Sequence, residues 1–193
     1  MQVFLAVLLP IVAHTLEGGS SAIAGFLHPL LGLDHLLAMV TVGLLSAQIG
    51  GKAIWVVPTT FVVAMAIAGV LGYFGVPLPL VEVGITGSVV ILGLALLANQ
   101  KIPMWLAMIF VAIFALFHGH AHGAELPAVE GDILYILAYV LGFMTATAGL
   151  HVIGALIGYI ALRNQRSAMI LRFGGLAIAL MGVYLVSQVF TGA

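Results

Sequence analysis

Charge is nearly confined to the ends of long apolar runs, and this limits the chain to one environment. Apolar stretches cover residues 33–49, 53–71, 81–98, 103–117, 133–162 and 168–190, and most approach the roughly 20 residues needed to cross a bilayer. Charged residues make up 6% of the 193 positions and hydrophobic ones 64%. A soluble domain carries about 25% charged residues, so no water-facing surface can be built from this inventory. In lipid the backbone must satisfy its own polar groups, which leaves helices for runs of this length. The predicted fold is all-α: a polytopic transmembrane bundle of six to seven membrane helices in a single domain over residues 1–193, with a six-helix core at 33–190.

The breaks between runs carry turn chemistry. They fall at Gly50-Gly51-Lys52, Gly75-Val76-Pro77-Leu78-Pro79, Asn99-Gln100-Lys101, Glu130-Gly131-Asp132 and Arg163-Asn164-Gln165-Arg166. The first apolar piece, residues 3–15, falls short of a span. It reads either as a signal peptide, with Ile11-Val12-Ala13 as a small-residue cleavage site, or as a short first helix. No Lys or Arg precedes it, which favours a retained helix. Lys52, Lys101, Arg163, Arg166 and Arg172 fall in or beside alternate connections, and Glu17, Asp34, Glu82, Glu125, Glu130 and Asp132 at the opposite ends. The positive-inside rule makes the Lys/Arg side cytoplasmic. Gly154/Gly158, Gly142/Ala146 and Gly43/Ala47 are small-xxx-small pairs suited to close helix contact.

Against this background two polar knots stand out. The first, residues 28–39, places His28, Asp34 and His35 within eight positions. Pro29 disfavours helical geometry at His28 and Gly32 is a further weak point. A break or re-entrant turn is expected there, with a helix restarting near Leu33. On that helix His35 and Met39 share a face, while Asp34 points about 100° away, toward His28 across the break. The second knot, in an outer loop after residue 117, holds His118, His120, His122 and Glu125. If the helix continues, His118 and His122 lie one turn apart and can chelate one ion, Glu125 completes the face, and His120 points elsewhere. Capping alone would account for Asp34, and a polar loop for a scatter of His. The trio and the quartet exceed both needs, and ionisable groups within apolar runs mark functional sites. The charge layout puts this His/Asp/Glu cluster at the extracytoplasmic side.

The donors are imidazole and carboxylate. There is no Cys, so thiolate sites and disulfides are excluded, and Mg²⁺ or Ca²⁺ would want oxygen throughout. Imidazole suits Ni, Co, Zn and Cu; Met39 and Met144 are further candidate donors. The ligands bind only when deprotonated, so binding should weaken as pH falls toward about 6. His151 lies alone in the long run 133–162, either as a hydrogen-bonded core residue or as a lower station on an ion path with Thr145 and Thr147 nearby. His14 is either the polar end of the first helix or, after cleavage, an N-terminal ligand. Glu82 reads as a helix-start acid. The small net charge argues against nucleic acid as a partner. No Gly-x-x-x-x-Gly-Lys loop is present, so ATP is not hydrolysed by this chain. No internal repeat is evident. The expected partners are a divalent metal ion and the lipid bilayer. The oligomeric state is not legible.

The stretch His28-Pro-Leu-Leu-Gly-Leu-Asp34-His35-Leu-Leu-Ala-Met39, followed by Val42-Gly43, resembles the signature of the HupE/UreJ family of nickel/cobalt permeases. Phe117-His118-Gly119-His120-Ala121-His122-Gly123-Ala124-Glu125 resembles that family's second motif. The likeness runs from about Gly25 to the last span and includes Leu150-His151. It implies a multi-pass protein of the bacterial inner membrane that admits Ni²⁺ or Co²⁺ for hydrogenase, urease or cobalamin-related maturation. It implies that His28, Asp34, His35, His118, His122 and Glu125 match the metal-handling positions. His120 departs from the aromatic residue of the family pattern, and the uncharged start departs from its usual cleaved signal peptide. The expectation is therefore a permease without enzymatic activity or a catalytic cofactor, carrying Ni²⁺ or Co²⁺, with Zn²⁺ also chemically allowed. The alternative is an intramembrane zinc-dependent hydrolase, with Asp34 or Glu125 as general base.

Overall fold

The computed structural model describes residues 21–99, 102–126 and 133–192. The expected first helix or signal segment lies outside them, as do His14, Glu17, Lys101, Glu130 and Asp132. The described residues form seven helices and no strand: α1 Ser21–Leu31, α2 Leu33–Ile49, α3 Ala53–Tyr73, α4 Val81–Ala98, α5 Met104–Glu125, α6 Ile133–Ala161 and α7 Gln165–Thr191. Helices α3 to α7 are each long and apolar enough to cross a bilayer; α1 and α2 pass the same test only as a pair bent by 80° at Gly32, a broken span or a re-entrant loop. The chain is a multi-pass helical membrane protein. Its outer surface is apolar, with Trp55, Phe173 and Phe190 exposed where lipid would lie.

Lipid offers no hydrophobic force between helices, so the bundle depends on close backbone approach. The main helix pairs are α1 with α6, α2 with α6, α3 with α5 and α4 with α7, and glycine sits at each contact. Gly25 and Gly142 join α1 to α6, and Gly43, Gly154 and Gly158 join α2 to α6. Gly93, Gly175 and Gly182 join α4 to α7. In the α3–α5 pair Gly119 lies on the backbone of Met65 and Gly123 on that of Gly69, so a Cβ at either would strike a carbonyl.

Two expectations change here. The His-rich stretch after Phe117 is helix, not loop: α5 continues to Glu125. Glycines 119 and 123 weaken a helix in isolation, but here they admit α3, and tertiary packing overrides propensity. The break in the first knot falls at Gly32, not at Pro29. His28 and Pro29 remain within α1, and Gly32 adopts extended geometry as the residue before α2.

Polar contacts tie helix ends together at one end of the bundle. Arg172 Nε donates to the Leu97 carbonyl at 3.1 Å, at the C-terminal end of α4. Gln48 donates to the Leu96 carbonyl and to the Asn99 side chain. The Asn164 side chain accepts from the Arg166 backbone N–H at the start of α7. Lys52, Arg163, Arg166 and Arg172 thus gather at one end, while Asp34 and Glu82 in first turns and Glu125 in a last turn mark the other.

Candidate metal centre

The 80° bend is what creates the site. It directs His28, from the last turn of α1, and His35, from the first turn of α2, into one space, with ring centroids 6.4 Å apart. Helix α5 supplies the opposite wall. Its His118 and His122 lie one turn apart on the buried face, opposite the lipid-exposed Ile113 and Leu116. The His122 ring lies 4.7 Å from His28 and 4.6 Å from His35, and His118 lies 4.8 Å from His35. Four imidazoles from three helices therefore share one pocket. His118 lies seven residues, about 10 Å, inside the end of α5.

Hydrogen bonds fix which nitrogen of each ring is free. Asp34 Oδ1 accepts from the His35 backbone N–H at 2.8 Å and from His35 Nδ1–H at 2.9 Å. His118 Nδ1–H donates to the Phe114 carbonyl at 2.9 Å. Both rings consequently turn an Nε2 lone pair inward. His35 Nε2 sits 2.6 Å from His122 Nε2. With His35 protonated on Nδ1, the shared proton belongs to His122. Its Nδ1, otherwise without a partner, lies 3.7 Å from Glu125 Oε2. The His28 Nδ1 and the Tyr139 hydroxyl are 2.9 Å apart; with Nδ1–H donating to the phenol oxygen, His28 Nε2 is free, as is His118 Nε2. His28, His122 and Glu125 each offer a ligand atom within 4.8 Å of the others.

His118 Nε2 is buried with no partner at all. An unpaired buried polar atom costs about 1–3 kcal/mol and calls for an explanation. A cation held among convergent lone pairs and two carboxylates is one such explanation, and the donors are of the kind that suits Ni, Co or Zn.

Each predicted residue now has a place. His28, His35, His118, His122 and Glu125 come together. Asp34 is there too, but it folds back onto His35 rather than reaching for His28, because the first turn of α2 presents free N–H groups to a carboxylate. His120 points away and donates from Nε2 to the Val76 carbonyl at 2.6 Å. Met39 is buried in the apolar core. Thr145 is exposed and bonds back to Leu141, so of the two threonines near His151 only Thr147 is buried.

Three neighbours escaped the sequence reading. Tyr139 holds His28, and the Phe143 ring packs on His122 at 4.4 Å. Phe61 stands between His118 at 5.7 Å and His151 at 5.2 Å. Tyr139, Phe143, Thr147 and His151 recur every four residues, a one-face helical stripe that was available as a signal.

A multi-pass helical membrane protein with a buried imidazole–carboxylate centre is the class that this fold and site define. The family model described as HupE / UreJ protein matches residues 2–185. Protein HupE of Rhizobium leguminosarum bv. viciae is 46% identical over 183 residues, 93% of each chain. The chain belongs to the HupE/UreJ family. No solved structure matches it.

Proposed function

We propose that this chain is a permease admitting a divalent transition-metal ion, Ni²⁺ or Co²⁺, to the cytoplasm of a bacterial cell through the imidazole–carboxylate centre. The observation that carries this reading is the convergence of the His28, His35, His118 and His122 rings, with Glu125 beside them, in one pocket between three helices. His35 and His122 are the entry pair. Two nitrogens on one ion at about 2.0–2.1 Å each stand about 3 Å apart, so a few tenths of an ångström of opening, with the His122 proton moved from Nε2 to Nδ1 beside Glu125, admits a metal between the two rings. Asp34 and the Phe114 carbonyl act as positioning groups that hold the tautomers. Glu125, the exposed member, meets the hydrated ion first. An inward-negative potential of 100 mV favours entry of a divalent ion by about 4.6 kcal/mol, so facilitated passage is energetically adequate without nucleotide hydrolysis.

The hydrolase alternative retains one supporting observation. An apolar crevice of about 360 Å³, lined by Met65, Tyr73, His122, Tyr139 and Phe143, opens between helices and reaches the centre. A lipid-derived substrate would enter there. Cellular nickel accumulation separates the two readings. His28→Ala and His35→Ala cells are expected to accumulate nickel at background level. Normal accumulation in both would overturn the permease reading.

A further inference from the structure

His151 is one of the most completely buried side chains of the molecule, about 1% exposed, and neither of its ring nitrogens has a partner. One turn before it on α6, the Thr147 hydroxyl is buried and unpartnered as well. A histidine kept only for packing would bond to an adjacent helix, since the apolar interior penalises an orphan polar atom. Here the neighbours are a ring and a backbone. Phe61 stands edge-on at 5.2 Å, and Gly43 of α2 lies against the His151 carbonyl. From Leu33 to Gly43 the helix rises about 15 Å, so His151 lies well below the mouth where His35 sits.

Phe61 is wholly buried and touches a histidine on either side, His118 at 5.7 Å and His151 at 5.2 Å. Beyond His151 the structure opens. A crevice of about 420 Å³ between α3 and α6 is lined by His151, Pro58, Thr59, Ala155 and Tyr159 and extends to Ile54 and Trp55 in the first turn of α3. That turn follows Lys52, at the cationic end of the bundle. The lining is mostly apolar, with Thr59 and Tyr159 the hydroxyl-bearing residues beside His151, and Trp55 lies on the outer apolar surface. The first crevice reaches His122 and the second reaches His151, and the Phe61 ring contacts both His118 and His151.

We propose that His151 and the Thr147 hydroxyl form a second cation station, inward of the outer cluster, with the Phe61 ring packed against both His118 and His151. This rests on the permease reading above. The π face of a ring so placed can briefly stabilise a cation. Imidazole nitrogen of His151 then replaces the lost outer ligands, and the station binds weakly enough to release.

The test compares wild type, His151→Leu and His151→Gln in proteoliposomes for initial Ni²⁺ uptake, with Ni²⁺ affinity measured in parallel on the same detergent-purified proteins. His151→Leu is expected to keep nickel affinity within twofold of wild type, with KM little changed, while kcat for uptake falls about tenfold or more. His151→Gln, which keeps a donor atom and the volume, is expected to fall less. Uptake by His151→Leu within twofold of wild type would overturn the station. Parallel loss of affinity and uptake in both variants would also overturn it, by making His151 part of the fold or of the outer cluster. Wild type that binds nickel but passes none would overturn the permease reading itself, and the station with it.

Discussion

Asp34 shows how one carboxylate organises the site without standing at its middle. Its Oδ1 holds both the backbone and the ring of His35, so its main service is to fix a tautomer and a ring angle. Loss of such an outer partner typically costs 10–100-fold in metal affinity. Asp34→Ala is therefore expected to weaken Ni²⁺ binding by about that factor, measured by calorimetry on purified protein, while His35→Ala abolishes it. An affinity for Asp34→Ala within twofold of wild type would contradict the positioning role. The residue types of the centre were legible from the sequence, because His and Asp in apolar runs have no inexpensive structural reading. Their mutual arrangement was not. Whether Asp34 faces His28 or His35 is decided by the free N–H groups at the start of α2 and by the 80° bend, and neither is encoded in spacing alone.

At the scale of elements, α5 is positioned by its glycines. Gly119 and Gly123 alternate with His118 and His122, so the packing face and the ligand face are adjacent on one helix. The Gly154/Gly158 pair was readable because it lies in an unmistakable span. The Gly119/Gly123 pair was hidden in a His-rich stretch whose poor helix formers suggest a loop; in the fold it packs on the backbone of Met65 and Gly69. Gly119→Ala is expected to force α3 and α5 apart at a cost of about 1–3 kcal/mol. It should lower the Tm in detergent and weaken nickel binding with every ligand intact. Gly87→Ala is the control: a Cβ there meets nothing within 4 Å, and its Tm should stay level or rise. Equal behaviour of the two variants would contradict the packing argument. The Tyr139–Phe143–Thr147–His151 stripe shows the converse case, a regular signal that the high apolar content of α6 obscured.

The whole molecule has a polarity. Lys52, Arg163, Arg166 and Arg172 lie at one end, and Asp34, Glu82 and Glu125 at the other, with the imidazoles near the acidic end. The positive-inside rule predicts that the cationic end faces the cytoplasm and that the centre opens outward. The chain has no Cys, which makes this testable by single substitutions. In intact spheroplasts a membrane-impermeant maleimide is expected to label Glu82→Cys directly and Lys52→Cys only after permeabilisation. The reverse pattern would contradict this orientation and turn the centre inward. The apolar spans could be read from composition alone, since they follow from solvation physics that acts on every residue; the described residues give five, or six with the bent α1–α2 pair, against the six to seven expected.

The central claim is that the imidazole–carboxylate centre passes a metal ion. Its most direct test is initial Ni²⁺ uptake into proteoliposomes holding the purified protein, with an imposed inside-negative potential and Co²⁺ and Zn²⁺ as competitors. Saturable Ni²⁺ or Co²⁺ entry that rises with the potential and is absent in His35→Ala is the expected result. Stoichiometric metal binding with no entry at any potential would contradict the claim and direct attention to cleavage of lipid-derived substrates at the same centre.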